Sequence, residues 1–124
     1  MNRPLVVIES PVAFNDRYTA AQHYRYFQEC CADAFLNHGE NPYGSHWIAQ
    51  GILDDTSPEH RKLGIECGLA WAANAERAIF YTDLGESRGM AQARAHWTAQ
   101  GKPIEERKLG ERVIAMIQEM ERDG

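Results

Sequence analysis

Cysteine is scarce in this chain: there are three in 124 residues, two of them adjacent at Cys30 and Cys31 and the third at Cys67. That set has neither metal-ligand spacing nor the even number of a disulfide framework, so the expected setting is reduced and cytoplasmic. The opening Met-Asn-Arg-Pro carries no apolar signal core. No apolar run approaches the roughly 20 residues that cross a bilayer, so no membrane partner is expected. Lys and Arg form no run and the net charge is −5, which argues against binding to a nucleic-acid polymer. One local basic pocket for a single nucleotide is still compatible with that charge. The glycine fingerprint Gly-x-Gly-x-x-Gly and the phosphate loop Gly-x-x-x-x-Gly-Lys-Ser/Thr are both missing, which removes support for dinucleotide binding and triphosphate hydrolysis. With no repeat, no linker and 44% hydrophobic residues, 1–124 reads as one globular domain.

What is present is a series of short apolar runs alternating with helical periodicities. Leu5 to Glu9 is β-branched and polar only at its end, the pattern of a central strand covered on both faces. Ala20, Tyr24, Phe27, Cys31, Ala34 and Phe35 recur at helical spacing between Thr19 and His38, with Gly39 as a stop. Tyr43 to Asp55 reads as a long connection next to a short second strand or loop. Ser57-Pro58-Glu59 supplies an N-cap, a first-turn proline and a first-turn acid for a helix running to about Ala75. A strand over Arg77 to Thr82, a helix from Ser87 to about Gln100 and a short edge strand over Pro103 to Arg107 follow. Leu109, Val113, Ile117 and Met120 give the last helix one apolar face. Because parallel neighbours need crossover connections, this order predicts an α/β three-layer sandwich, Rossmann-like or flavodoxin-like, with a parallel four- or five-stranded sheet.

In such a sheet ligands meet the carboxyl ends of the strands, so the residues there are the candidates. The turn Tyr81-Thr-Asp-Leu-Gly-Glu-Ser-Arg-Gly-Met90 hands a strand to a helix, and Ser87 and Gly89 place free backbone N–H groups where a phosphate or sugar oxygen would sit. Asp83 at the strand tip suits ribose hydroxyls, with helix capping as its structural rival. After the first strand, Ser10 offers a hydroxyl and Pro11 fixes the turn; an ordinary turn is the alternative. Ser45-His46-Trp47 combines a hydroxyl, an imidazole and a stacking ring, against a structural or solvated histidine. Asp54-Asp55 suits a metal or a ribose, and equally the start of a helix. Glu66 lies in sequence among Leu63, Ile65, Cys67, Leu69 and Trp71, an apolar setting that predicts either a pocket carboxylate or a buried pair with Arg61 or Arg88. Trp71, Trp97, Met116 and Met120 are expected to pack in the core or an interface.

Five stretches resemble one family: Ile-Glu-Ser-Pro (8–11), Ser-His (45–46), Leu-Asp-Asp with Pro-Glu-His-Arg (53–61), Gly-Ile-Glu-Cys-Gly-Leu-Ala-Trp (64–71) and the 81–90 turn. It is a small phage- and bacteria-encoded group related to nucleoside 2-deoxyribosyltransferases, and the resemblance runs from about residue 4 to 109. It implies a flavodoxin-like sandwich, cleavage of an N-glycosidic bond through a carboxylate nucleophile, a nucleoside or nucleotide ligand and assembly as a homo-oligomer. No cofactor is implied. The expected catalytic acids are Glu66 and Asp83, and the expected substrate contacts are Ser10, Pro11, His46, Arg61, Ser87, Gly89 and Met90. The chain departs from the transferase pattern after Gly89-Met90, where Gln92 and Ala93 replace the nucleophilic Glu. The second acid would fall near Gly68, two residues from Glu66. The alternatives are an N-glycosidase or transferase with a displaced carboxylate, a non-catalytic nucleotide-binding protein such as one that sequesters a signalling nucleotide, and a scaffold with a vestigial pocket.

Overall fold

A computed structural model describes residues 3–13, 15–49, 52–54 and 56–120. The apolar run forms β1 (Leu5–Glu9), followed by α1 (Ala20–Ala32), which widens into a π-helical turn at Asp33–Asn37. Then come β2 (Asn41–Tyr43), α2 (His46–Ala49), α3 (Pro58–Asn74), β3 (Arg77–Tyr81), α4 (Arg88–Ala99), β4 (Ile104–Arg107) and α5 (Glu111–Glu119). The four strands are all parallel in the order β2-β1-β3-β4, so the two most apolar strands lie in the middle. The expected α/β sandwich is what forms.

Alternation along β1 and β3 sorts the core into two layers. Val6, Ile8, Ile79 and Tyr81 face α1 and α5, packing with Tyr26, Phe27, Cys30 and Ile117. Val7, Ala78 and Phe80 face the other way, onto Ala72, Met90 and Trp97 of α3 and α4. Trp97 is therefore core, whereas Trp71 is partly exposed and stacks on Tyr43 at 4.4 Å between ring centroids. Met116 and Met120 pack, half-buried, against the α1 and α5 layer.

The buried face of α1 is rotated from the one its apolar residues predict. Gln22, His23, Tyr26, Phe27 and Cys30 are buried, while Phe35 is exposed beneath the Arg3 guanidinium at 4.3 Å. Two polar residues hold that orientation. The Gln22 side chain closes a capping box with Thr19 and donates from Nε2 to the Ile117 carbonyl of α5 at 3.0 Å. His23 sets Nδ1 2.7 Å from the Ala13 carbonyl. The connection after β2 also differs from a plain loop, because α2 forms in it.

Below the α1 layer, Glu40 is almost fully buried between two arginines. Arg107 donates to both of its carboxylate oxygens at 2.8 and 2.7 Å, and Arg77 donates to one. The Tyr81 hydroxyl accepts from Arg107 and donates to Asp33 in the π-helical turn. This network joins the approach to β2, both ends of β3 with β4, and the end of α1.

Candidate functional site

The carboxyl end of β1 lies under the gap between α3 and α4. Val7 and Glu9 point to that side of the sheet, and the helices meet the gap with small residues: Gly64, Gly68 and Ala72 from α3, Gly89 and Ala93 from α4. Without bulk to fill it, the gap remains as a cleft of about 460 Å³. That lies within the range of small-molecule sites. Tyr43, stacked on Trp71 and with its hydroxyl 3.4 Å from Cys67 Sγ, makes one wall. Gln92, His96 and Trp97 of α4 make the other. Two glycines differ in what they do: a Cβ at Gly64 would meet Leu53 at 2.7 Å, whereas one at Gly68 would meet only open space. Gly68→Leu is thus expected to leave the melting temperature within a few degrees of the parent, because Gly in a helix interior is itself unfavourable by about 1 kcal/mol. Ligand binding in the cleft should fall at least about ten-fold, as filled volume competes directly with the ligand. Calorimetric titration beside a melting curve checks both halves.

Glu9 is the chemically distinctive group in this cleft. Among the described residues its carboxyl has no hydrogen-bond or ion-pair partner, and burial pushes it from 4.5 up to about 7. A carboxyl near neutrality holds or releases a proton at little cost, the requirement for a general acid or base. Nothing in the sequence reading assigns it a role, although it ends the most apolar central strand at the sheet edge where ligands bind, and that position was the available signal.

A family profile described as a domain of unknown function (DUF7768) matches residues 4–107. The chain belongs to that family. No curated protein and no solved structure matches it. The matched span of the DUF7768 domain contains every residue that lines the cleft, whereas α5 lies beyond it.

Of the residues proposed from the sequence, Arg61 and Gly89 line the DUF7768 cleft. Ser45, proposed with His46 and Trp47, lines it as well, and the others lie elsewhere. Ser10, Pro11 and His46 are buried outside the cleft lining; the His46 ring packs on Phe27 and Tyr24 of α1 at 5.1 and 5.4 Å. Neither nitrogen of His46 has a partner, nor do Ser10 Oγ and His23 Nε2, among the described residues. Burial, reinforced by His23, holds the His46 imidazole down at about 4, so it is neutral at physiological pH. Ser87 caps α4, accepting from the Met90 N–H at 3.2 Å, and Met90 is core.

The two proposed catalytic acids are not neighbours in the cleft. Asp83 is a structural tie: it accepts from the Tyr26 hydroxyl at 2.6 Å, from Leu109 N at 2.8 and 3.0 Å, and from Gly110 N at 3.0 Å. It thereby anchors the loop that opens α5, a long-range counterpart of its capping alternative. Glu66 is exposed on α3, not in the apolar setting its sequence neighbours predict, and it pairs with neither Arg61 nor Arg88. Apolar neighbours in α3 do not make a dry site, since Leu63, Ile65, Leu69 and Trp71 are themselves 41 to 59% exposed. Asp54 accepts from Thr56 N at 2.9 Å and Thr56 Oγ1 at 2.7 Å, the turn that precedes a helix; Asp55 lies outside the described residues. No group of three or more metal-ligating side chains converges among the described residues.

Proposed function

We propose that this DUF7768 domain is a nucleoside- or nucleotide-processing protein whose reactive group is the Glu9 carboxyl, acting in the cytoplasm on an N-glycosidic bond. The observation that carries the reading is an unpaired carboxyl, raised to about 7, in a cleft at the carboxyl edge of a parallel sheet. The family resemblance of the motifs at 8–11, 64–71 and 81–90 supplies the substrate class. In this reaction protonated Glu9 gives its proton to the departing base nitrogen while water attacks the anomeric carbon. The proton lost by that water restores the carboxyl, so the cycle balances as a hydrolysis.

Capture without turnover is the second reading, and one observation favours it. Asp83 is committed to structure, Glu66 is exposed outside the cleft lining, and Gln92 and Ala93 stand where a nucleophilic Glu would be, so Glu9 is the one acid lining the cleft among the described residues. Incubating the protein with a panel of nucleosides and nucleotides, with mass spectrometry before and after heat denaturation, separates the two. Free base supports hydrolysis. An intact ligand released only on denaturation supports capture, and no product and no bound ligand would sink both.

A second copy of the chain is the expected macromolecular partner. Leu63, Ile65, Leu69 and Trp71 on α3, with Trp47 and Ile52 just before it, leave large apolar surfaces in water. Burial of such surface is what drives self-association. Light scattering at micromolar concentration should give twice the mass of one chain or more; a mass of one chain removes the partner.

A further inference from the structure

The gap between α3 and α4 has a cation at each end, and the two are in different states. At the far end Lys102 Nζ donates to the carbonyls of Ala72 at 2.7 Å, Ala73 at 3.0 Å and Ala75 at 3.2 Å. All three protons are committed to closing the carboxyl terminus of α3, so this charge is not available to a ligand. At the other end the Arg61 guanidinium lines the cleft and also an adjoining hollow of about 340 Å³. It has no hydrogen bond or ion pair among the described residues, whereas Arg77, Arg94 and Arg107 are each tied to carboxylates. Lys62 lines the same hollow, equally unpaired.

The surroundings add to this asymmetry. Arg61 and Lys62 lie near the start of the 17-residue α3, where the aligned peptide dipoles favour negative charge. Two acids oppose them: Glu66 lines the hollow and Glu59 stands in the first turn, both exposed. The Thr56 hydroxyl in the hollow already donates to Asp54, so the guanidinium and the ammonium are the donors left for a ligand. Inside the cleft Glu9, while it keeps its proton, adds no opposing charge.

We infer that the ligand of the cleft carries a phosphate, held by Arg61 with Lys62 at the mouth, and hence that the domain takes a nucleotide in preference to the bare nucleoside. This rests on reading the cleft as a nucleoside or nucleotide site, and adds where the charged end lies. Arg61 is then a specificity-determining residue: its fork suits two phosphate oxygens at once, which an ammonium alone does not.

The test is calorimetric titration of the full chain with matched pairs, each 5′-mononucleotide against its own nucleoside. A hydrogen bond to a charged group predicts a preference of roughly 10- to 100-fold for the mononucleotide. Arg61→Ala should remove that preference, lowering affinity for the mononucleotide far more than for its nucleoside. Arg112→Ala deletes the same charge from α5, across the sheet, and should change nothing. Equal affinity for both members of every pair, or equal loss in both variants, overturns the phosphate site while leaving the nucleoside reading intact. If neither member of any pair binds, both readings fall.

Discussion

Glu9→Gln is expected to remove turnover and, at the same time, to make the protein more stable at pH 8. In the folded chain burial raises the Glu9 carboxyl to about 7 from 4.5. A raised carboxyl contributes its full stability below about pH 4.5, where it is protonated folded or unfolded, and loses it as the pH climbs through 7. At pH 8 the folded protein holds an unpaired buried charge, at a cost of about 3 kcal/mol by linkage, an order-of-magnitude figure. Glutamine has no such charge, so the variant should gain up to about that amount at pH 8 and little at pH 5. His46 acts with the opposite sign. Its imidazole is held down at about 4, so its contribution is complete above about 6.5 and is lost as the pH falls toward 4. The two slopes oppose each other between about pH 5 and 6.5, so the parent should change less with pH there than Glu9→Gln, which rises. Urea unfolding at pH 5, 6, 7 and 8 reads this directly. A variant no more stable than the parent at pH 8 would show that Glu9 is not held in an unfavourable setting. A variant with undiminished turnover would take it out of the reaction.

The second large effect concerns the charge network on the opposite face of the sheet. Glu40→Ala is expected to lower the melting temperature by roughly 10–20 °C, taking about 3–5 kcal/mol for a broken buried ion pair. Glu40 is 1% exposed and Arg107 nearly as buried, so removing the carboxylate strands a guanidinium in the interior, with Glu105 and Tyr81 as its remaining partners. Against a total of about 5–15 kcal/mol for a domain, that loss is large. Burial works against ionisation of Glu40, but the hydrogen bonds and charge of Arg107, and then of Arg77, outweigh it and hold the carboxyl below its ordinary value. Its contribution is thus present above about pH 4.5 and disappears as acid reaches the lowered value. Glu40→Gln, which keeps the shape and one acceptor oxygen, should lose less. Calorimetric melting of the two variants decides, and a Glu40→Ala protein that melts within about 3 °C of the parent would mean the network contributes little.

The sheet and its order were legible in the sequence because their signals are local. A β-branched run marks β1, Ser57-Pro58-Glu59 marks the start of α3, and Ser87 marks the start of α4. The site was less legible, for identifiable reasons. Asp83 looks like a free acid at a strand tip until Tyr26, 57 residues away, and the backbone of Leu109 and Gly110 are brought to it by folding. Glu66 looks buried because its sequence neighbours in α3 are apolar, which reports the composition of the helix and not which side meets the sheet. Gln22 and His23 hid the true inner face of α1 for the converse reason: polar side chains with distant backbone partners are buried without looking so. Glu9 was readable in principle from its place at the end of β1, whereas its lack of a partner was not.

The two outer strands of the sheet also limit how copies of this molecule can meet. β2 is three residues long, and its central residue, Pro42, has no N–H to offer an incoming strand. β4 closes the other side with Ile-Glu-Glu-Arg, whose Glu105, Glu106 and Arg107 are all drawn into ion pairs, Glu106 with Arg94 at 2.8 Å. Short, charged or proline-bearing margins are the features that discourage strands of separate molecules from zipping into a continuous ribbon. Concentrated protein should accordingly resist fibril growth through its native state, and contacts between copies are left to the helical surfaces.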